Sequence, residues 1–152
     1  MDLVSQLRGQ FIDLSSSMYR EGLLDEQFVQ LQKLQDESNP DFVLEVVSLY
    51  FEDSEKLLNN LATALQQQIV DFKLVDSHVH QFKGSSSSIG AQRVRNVCVD
   101  LRTCCEMKDL NGCVAYLQQL KYEFNLVKSK LEMLFMIERK IVAAGGTVPV
   151  ME

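Results

Sequence analysis

Residues 75–92 read VDSHVHQFKGSSSSIGAQ, and the apolar pattern that runs through this stretch predicts an amphipathic helix. Apolar or small residues recur at alternating steps of three and four, the spacing that places side chains on one face of an α-helix. The residues that we expect to be buried on this face are Phe72, Val75, Val79, Phe82, Ser86 and Ile89. The rest of the helix surface is then left to solvent or to a partner.

The solvent side of the predicted helix carries a second set of residues at i, i+3, i+4 and i+7, namely His80, Lys83, Gly84 and Ser87. A glycine inside a helix costs about 1 kcal/mol relative to alanine, and no turn requires one here because the apolar stripe continues to Ile89. We therefore interpret Gly84 as clearance that lets another surface approach the His80 imidazole. Lys83 supplies a positive charge that suits an anion carried on that ring.

The segment from His80 to Ala91, HQFKGSSSSIGA, resembles the active-site signature of histidine-containing phosphotransfer (HPt) proteins, most closely the plant members of multistep phosphorelays. The resemblance implies an all-α fold, an antiparallel four-helix bundle with two additional N-terminal helices. It also implies that His80 is the phosphorylated nucleophile, with Lys83 as electrostatic support and Gly84 as clearance for the partner. From their exposed positions, Gln81 and Ser87 are candidate partner contacts.

The same resemblance implies the partners. The phosphoryl group would come from the receiver-domain aspartate of a hybrid sensor histidine kinase and pass to the receiver aspartate of a response regulator, in a cytokinin-type pathway. The chain would hold no cofactor of its own, and Mg²⁺ is expected on the partner receiver domain. A monomeric shuttle in the cytoplasm and nucleus fits this role.

Composition narrows the class of protein further. The chain has 152 residues, of which 46% are hydrophobic, and only two prolines, as expected for a single helical domain. The net charge of −6 argues against binding to nucleic acid or to an anionic membrane surface. We find neither an apolar run of about 18 residues nor a secretory signal, so we expect an intracellular protein.

The helical period also predicts where the elements begin and end. We expect a first helix ending near Gly22 and a second capped by Asp25, with Phe28, Leu31 and Leu34 buried. Asn39 is the expected N-cap of a long helix that reaches about Ile69.

The helix that carries His80 is then capped by Asp71 and ended by Gly90. A fifth helix runs from Gln92 to Met107, residues 108–112 form a connection, and the last helix reaches about Ile141. We predict flanking helices over residues 1–38, the bundle over 40–144 as part of one domain 1–144, and a mobile tail over 145–152.

The cysteines and histidines give little support to metal binding. Cys98, Cys104, Cys105 and Cys113 lack C-x-x-C spacing, and reduced, partly buried thiols are the expected state; a redox role for an exposed one stays open. His78 and His80 lie two residues apart, so on a helix they point about 200° from each other and cannot share an ion. We place His78 on the flank of the bundle.

Nothing in the sequence predicts ATP binding or hydrolytic chemistry. There is no P-loop, no kinase catalytic loop and no Gly-x-Ser-x-Gly elbow, so the chain should not be a kinase and its phosphoryl group must come from another protein. Two other readings remain open. One is a phosphorylation-independent helical adaptor that binds receiver domains, and the other is a metal or cofactor bundle built on the histidines and cysteines.

Overall fold

The computed structural model describes residues 2–149, and over this range the chain forms six α-helices without a strand. They are α1 (Leu3–Arg20), α2 (Glu26–Lys33), α3 (Phe42–Leu65), α4 (Phe72–Ile89), α5 (Gln92–Glu106) and α6 (Leu110–Ala143). The predicted all-α class is confirmed.

The last four helices form the bundle. Helix α3 packs against α4 and α6, and α5 closes the ring because it also packs against α4 and α6. Their short connections make successive helices antiparallel. Helix α1 lies against α6 and α2 lies against α4, so the two N-terminal helices flank the bundle as predicted.

An aromatic cluster at the centre of the bundle joins three of its helices. Tyr50 of α3, Phe82 of α4 and Phe124 of α6 contact one another edge to face, with ring centroids 5.9 to 6.4 Å apart. The Tyr50 hydroxyl also hydrogen-bonds the Ser86 hydroxyl at 2.8 Å. Ser86, which lies on the buried face as expected, therefore bonds a side chain of the neighbouring helix.

Three predicted helix boundaries are confirmed by their capping contacts. Asp25 accepts from the Gln27 backbone N–H at the start of α2, and Asp71 accepts from the N–H groups of Lys73 and Leu74 at the start of α4. Gly90 ends α4 in the left-handed conformation, with φ of 82°, which glycine adopts without steric cost.

The predicted start of α3 is wrong by a few residues. The helix begins at Phe42, with Asp41 rather than Asn39 in the N-cap position. Asp36 accepts from the Asn39 N–H, which holds the preceding residues in a turn. Gln35 then supplies the missing cap, since its side-chain oxygen accepts from the Val43 N–H at 3.0 Å.

Other predicted boundaries also shift. Helix α3 ends at Leu65 and leaves Ile69 90% exposed. Leu34 follows the last residue of α2 and is 66% exposed, not buried. Residues 110–112 belong to α6 rather than to a connection, because Asp109 caps that helix by accepting from the Gly112 N–H.

The described part of the C-terminal segment contacts α1. The Arg8 guanidinium donates to the Thr147 carbonyl at 2.9 Å and to its hydroxyl at 3.1 Å. The predicted mobility of residues 145–152 stays a prediction, and residues 150–152 lie outside the described range. Among residues 2–149, no helix combines the length and apolar character that crossing a membrane requires.

Substitution of Gly90 tests how closely the end of α4 packs against α2. An added Cβ would lie 2.7 Å from the Phe28 backbone nitrogen, at a φ that side-chain-bearing residues avoid. We expect Gly90→Ala to lower the free energy of unfolding by at least about 1–2 kcal/mol, measured by denaturant titration. The control is Gly9→Ala, which has no atom within 4 Å and should stabilise α1 by about 1 kcal/mol. Equal effects of the two variants would contradict this account.

Glu138 makes the stability depend on pH. Burial raises the pKa of Glu138 from 4.5 to about 7, so the folded chain binds more protons than the unfolded chain between these values. The free energy of unfolding should therefore fall as the pH rises through this window, by up to about 3 kcal/mol.

In Glu138→Gln this loss should be absent when denaturant unfolding is compared at about pH 5 and pH 8. Glu132→Gln, at an exposed position of the same helix, is the control and should keep the wild-type pH dependence. A Glu138→Gln protein with the wild-type pH dependence would refute the assignment to Glu138.

Candidate functional site

Helix α4 divides most of its residues as the sequence predicts, although Phe72, which we expected to be buried, is half-buried. Val75, Val79 and Phe82 are fully buried, whereas His80, Gln81 and Gly84 are exposed. Because Phe82 is fixed in the aromatic cluster and His80 lies two residues before it, about 200° away around the helix, the imidazole faces outward.

The His80 imidazole is held by an arginine of the neighbouring helix. The Arg102 Nη1 atom, from α5, lies 3.0 Å from His80 Nδ1. The same guanidinium pairs with the Asp76 carboxylate, with Nε and Oδ1 2.9 Å apart and Nη2 and Oδ2 3.4 Å apart. The hydrogen bond that Arg102 donates to Asp76 is the main cause that raises the pKa of Arg102 above its usual range, so this group remains a cation.

Open space surrounds the backbone one turn beyond His80. A Cβ added at Gly84 would meet no atom within 4 Å, so no internal contact in the described chain requires glycine there. The helix gives up about 1 kcal/mol of propensity at this position without any packing gain. The open space at Gly84 therefore favours a role in letting the surface of another protein come close to His80.

The other predicted site residues share this region but are not joined by contacts. Lys83 and Ser87 are half-buried and Gln81 is exposed. Within residues 2–149 their side chains form no hydrogen bond. By contrast, Ser85 and Ser88 donate to backbone carbonyls one turn earlier in α4, which occupies these hydroxyls locally.

Sequence reasoning missed Arg102 and Asp76. Asp76 precedes His80 by four residues and therefore extends the same exposed stripe, a signal that was available. Nothing in the sequence singles out Arg102 among the arginines of α5, because its contact with His80 depends on how α4 and α5 align.

The cysteines are less accessible than we predicted. Cys98, Cys104, Cys105 and Cys113 are all buried and free of disulfides. The Cys105 and Cys113 sulfur atoms lie 3.9 Å apart. Burial raises the pKa of both the Cys98 and the Cys105 thiols to about 12, which disfavours the reactive thiolate. Among residues 2–149, no three His, Cys, Asp or Glu side chains are placed to hold a metal ion.

His80 is exposed on the surface of α4. A shallow cleft between α4 and α5 is lined in part by Asp76 and Cys105, but not by His80. A cleft lies between α3 and α6, lined in part by Leu44, Phe51 and Met136, and no residue of α4 contributes to it. An exposed imidazole that lines no cleft suits contact with the surface of another protein rather than enclosure of a small substrate.

Comparison with known proteins agrees with this geometry. The model of the Hpt domain family matches residues 45–130. Histidine-containing phosphotransfer protein 1 of Arabidopsis thaliana is 57% identical over 152 residues, covering 100% of this chain and 98% of that protein. Histidine-containing phosphotransfer protein 5 of the same plant is 53% identical, covering 97% of this chain and 94% of its own length.

Solved structures show the same fold. The crystal structure of a histidine-containing phosphotransfer protein from Medicago truncatula superposes with a TM-score of 0.88 at 50% identity, covering 97% of this chain and 98% of that one. A maize relative gives a TM-score of 0.85 at 45% identity, covering 89% and 99%. The resemblance is confirmed over almost the whole chain, which therefore belongs to the plant-type histidine-containing phosphotransfer proteins and acts in histidine phosphotransfer within a phosphorelay.

Proposed function

We propose that His80 is the residue that carries the phosphoryl group. The observation that supports this assignment is the combination at one exposed point of α4 of an outward-facing imidazole, a guanidinium at its Nδ1 atom and open space above Gly84. The chain's other histidine, His78, is half-buried and has no such surroundings.

The reaction is a pair of transfers between His80 and receiver aspartates. His80 attacks the aspartyl phosphate of an upstream receiver through Nε2, and the receiver carboxylate leaves in line. A downstream receiver aspartate later attacks the phosphohistidine. Such transfers rely mainly on positioning and charge stabilisation, and we assign the Mg²⁺ to the receiver.

The neighbouring residues then have distinct roles. Lys83 provides positive charge for the phosphoryl oxygens or for the acidic surface of the receiver. Gly84 lets the receiver backbone come close to the ring. Gln81 and Ser87 lie on or beside the surface through which the receiver approaches His80, and they contact the receiver.

The wider role follows from the family. Receiver domains are the partners, and we propose a hybrid sensor kinase upstream and a response regulator downstream, in cytokinin-type signalling between cytoplasm and nucleus. The protein acts as a monomer, away from nucleic acid and membranes, and transfers a phosphoryl group that it does not take from ATP. The acidic balance of the chain supports the exclusion of nucleic acid.

Removal of the nucleophile is the direct test. His80→Gln should accept no acid-labile, base-stable phosphoryl label from a pre-phosphorylated receiver domain, while circular dichroism and thermal unfolding remain as in wild type because the site is exposed. His78→Gln is the matched control and should accept label normally. Label on His80→Gln would refute the site, whereas receiver binding without labelling of wild type would favour the adaptor.

Gly84 allows stability and transfer to be separated. Gly84→Ala should raise the free energy of unfolding by about 1 kcal/mol through helix propensity, and Gly84→Gln should raise it as well. Transfer from the receiver should nevertheless fall, by a larger factor for glutamine than for alanine, because the side chain occupies the approach to His80. Undiminished transfer to a stabilised Gly84→Gln protein would rule out the clearance role.

A further inference from the structure

The contact between Arg102 and His80 fixes where the imidazole carries its proton. A guanidinium has only donors, so at 3.0 Å the Nδ1 atom of His80 must be the acceptor. A neutral imidazole whose Nδ1 accepts carries its proton on Nε2. The free protein therefore rests in the Nε2–H tautomer.

This resting tautomer is the unreactive one for attack through Nε2. A nitrogen that carries a proton has its remaining electron pair in the ring π system, and only the unprotonated nitrogen presents an in-plane pair to phosphorus. Nδ1 has such a pair, but Arg102 occupies it. The hydrogen-bond geometry thus opposes both possible nucleophiles while Arg102 stays in place.

Asp76 lies on the far side of the same guanidinium. Its carboxylate binds Arg102 Nε and Nη2, and the Arg102 and Asp76 side chains are 30% and 31% exposed. An ion pair this open to water is weakly held, and either member can separate without leaving a buried charge. Asp76 is also one helical turn before His80, within the spacing at which side chains meet.

Resting on the assignment of His80 as the phosphoryl acceptor, we propose that Arg102 and Asp76 are positioning residues that control the tautomer of His80. Arg102 holds the ring inactive in the free protein. The negative charge of a docked receiver and its phosphoryl group draws the guanidinium away from Nδ1. The ring then releases its Nε2 proton to water and takes up a proton from water on Nδ1. Asp76 accepts a hydrogen bond from this Nδ1–H, and Nε2 is left with the free electron pair.

In this arrangement the transfer step replaces one bond to phosphorus by another. The Nε2 pair forms the N–P bond, the P–O bond to the receiver aspartate breaks, and its electron pair leaves as the carboxylate. The proton remains on Nδ1, and the resulting positive charge of the ring is stabilised by Asp76. The displaced guanidinium is free to bind the phosphoryl oxygens. Once the Nδ1–H tautomer has formed, the transfer step itself needs no further proton exchange with solvent.

The tautomer is measured directly by long-range ¹H–¹⁵N NMR on the full chain with ¹⁵N-labelled histidine, with His78 as an internal reference. Wild-type His80 should show an unprotonated Nδ1 and a protonated Nε2. Arg102→Met should raise the ratio of Nδ1–H to Nε2–H by about tenfold or more, as expected for loss of a charged hydrogen bond. Arg95→Met removes another half-buried arginine of α5, paired with Asp25 instead, and should change nothing at His80.

Transfer kinetics test the proposed role of Asp76. Asp76→Asn should slow phosphotransfer from a pre-phosphorylated receiver by about tenfold or more without weakening receiver binding, and Asp76→Glu should restore part of the rate. A wild-type His80 found as Nδ1–H, an unchanged ratio in Arg102→Met, or a wild-type rate in Asp76→Asn would overturn the proposal. Failure of wild type to accept label would instead refute His80 as the acceptor. The NMR measurement of the tautomer would be unaffected by that failure, because it uses no phosphoryl donor.

Discussion

The edge-to-face contact of Tyr50, Phe82 and Phe124 is the constraint on which the site depends. Each aromatic pair of this kind contributes about 0.5–1.5 kcal/mol beyond the area that it buries, and together they tie α4 to α3 and α6. The Tyr50–Ser86 hydrogen bond adds a second fixed point one turn further along α4. With two points of α4 held, the helix cannot rotate, and His80 is kept on the outer surface.

The same constraint explains why the site needs no cavity. The bundle presents the His80 imidazole on an exposed helix surface, so water is excluded from the ring only when a second protein covers it. In the proposed transfer, the chain provides the His80 imidazole in a fixed position, and the receiver provides the Mg²⁺ and most of the charge stabilisation. Asp76 and Arg102 are partly exposed. In the proposed mechanism they exchange hydrogen-bond partners at little cost in free energy when the second protein binds.

Much of this protein could be predicted from local sequence. Most positions of the buried stripes, the capping aspartates Asp25 and Asp71, and the glycine that ends α4 depend on interactions within a few residues, and these were found in the expected places. The errors lie at the ends of helices. Gln35 caps α3 across eight residues, and Leu34 is exposed because α2 ends before it, so neither could be inferred from periodicity.

The sequence by itself determined the division of α4 into a buried and an exposed face, because helical periodicity is a local property of the chain. It thereby placed His80, Lys83, Gly84 and Ser87 on or near one side. Only the tertiary structure decided what His80 contacts. Residues 80 and 102 lie on different helices, and which arginine of α5 meets the imidazole depends on the packing of α4 against α5 along their whole length. That register is set by many buried contacts together, and no short stretch of sequence encodes it.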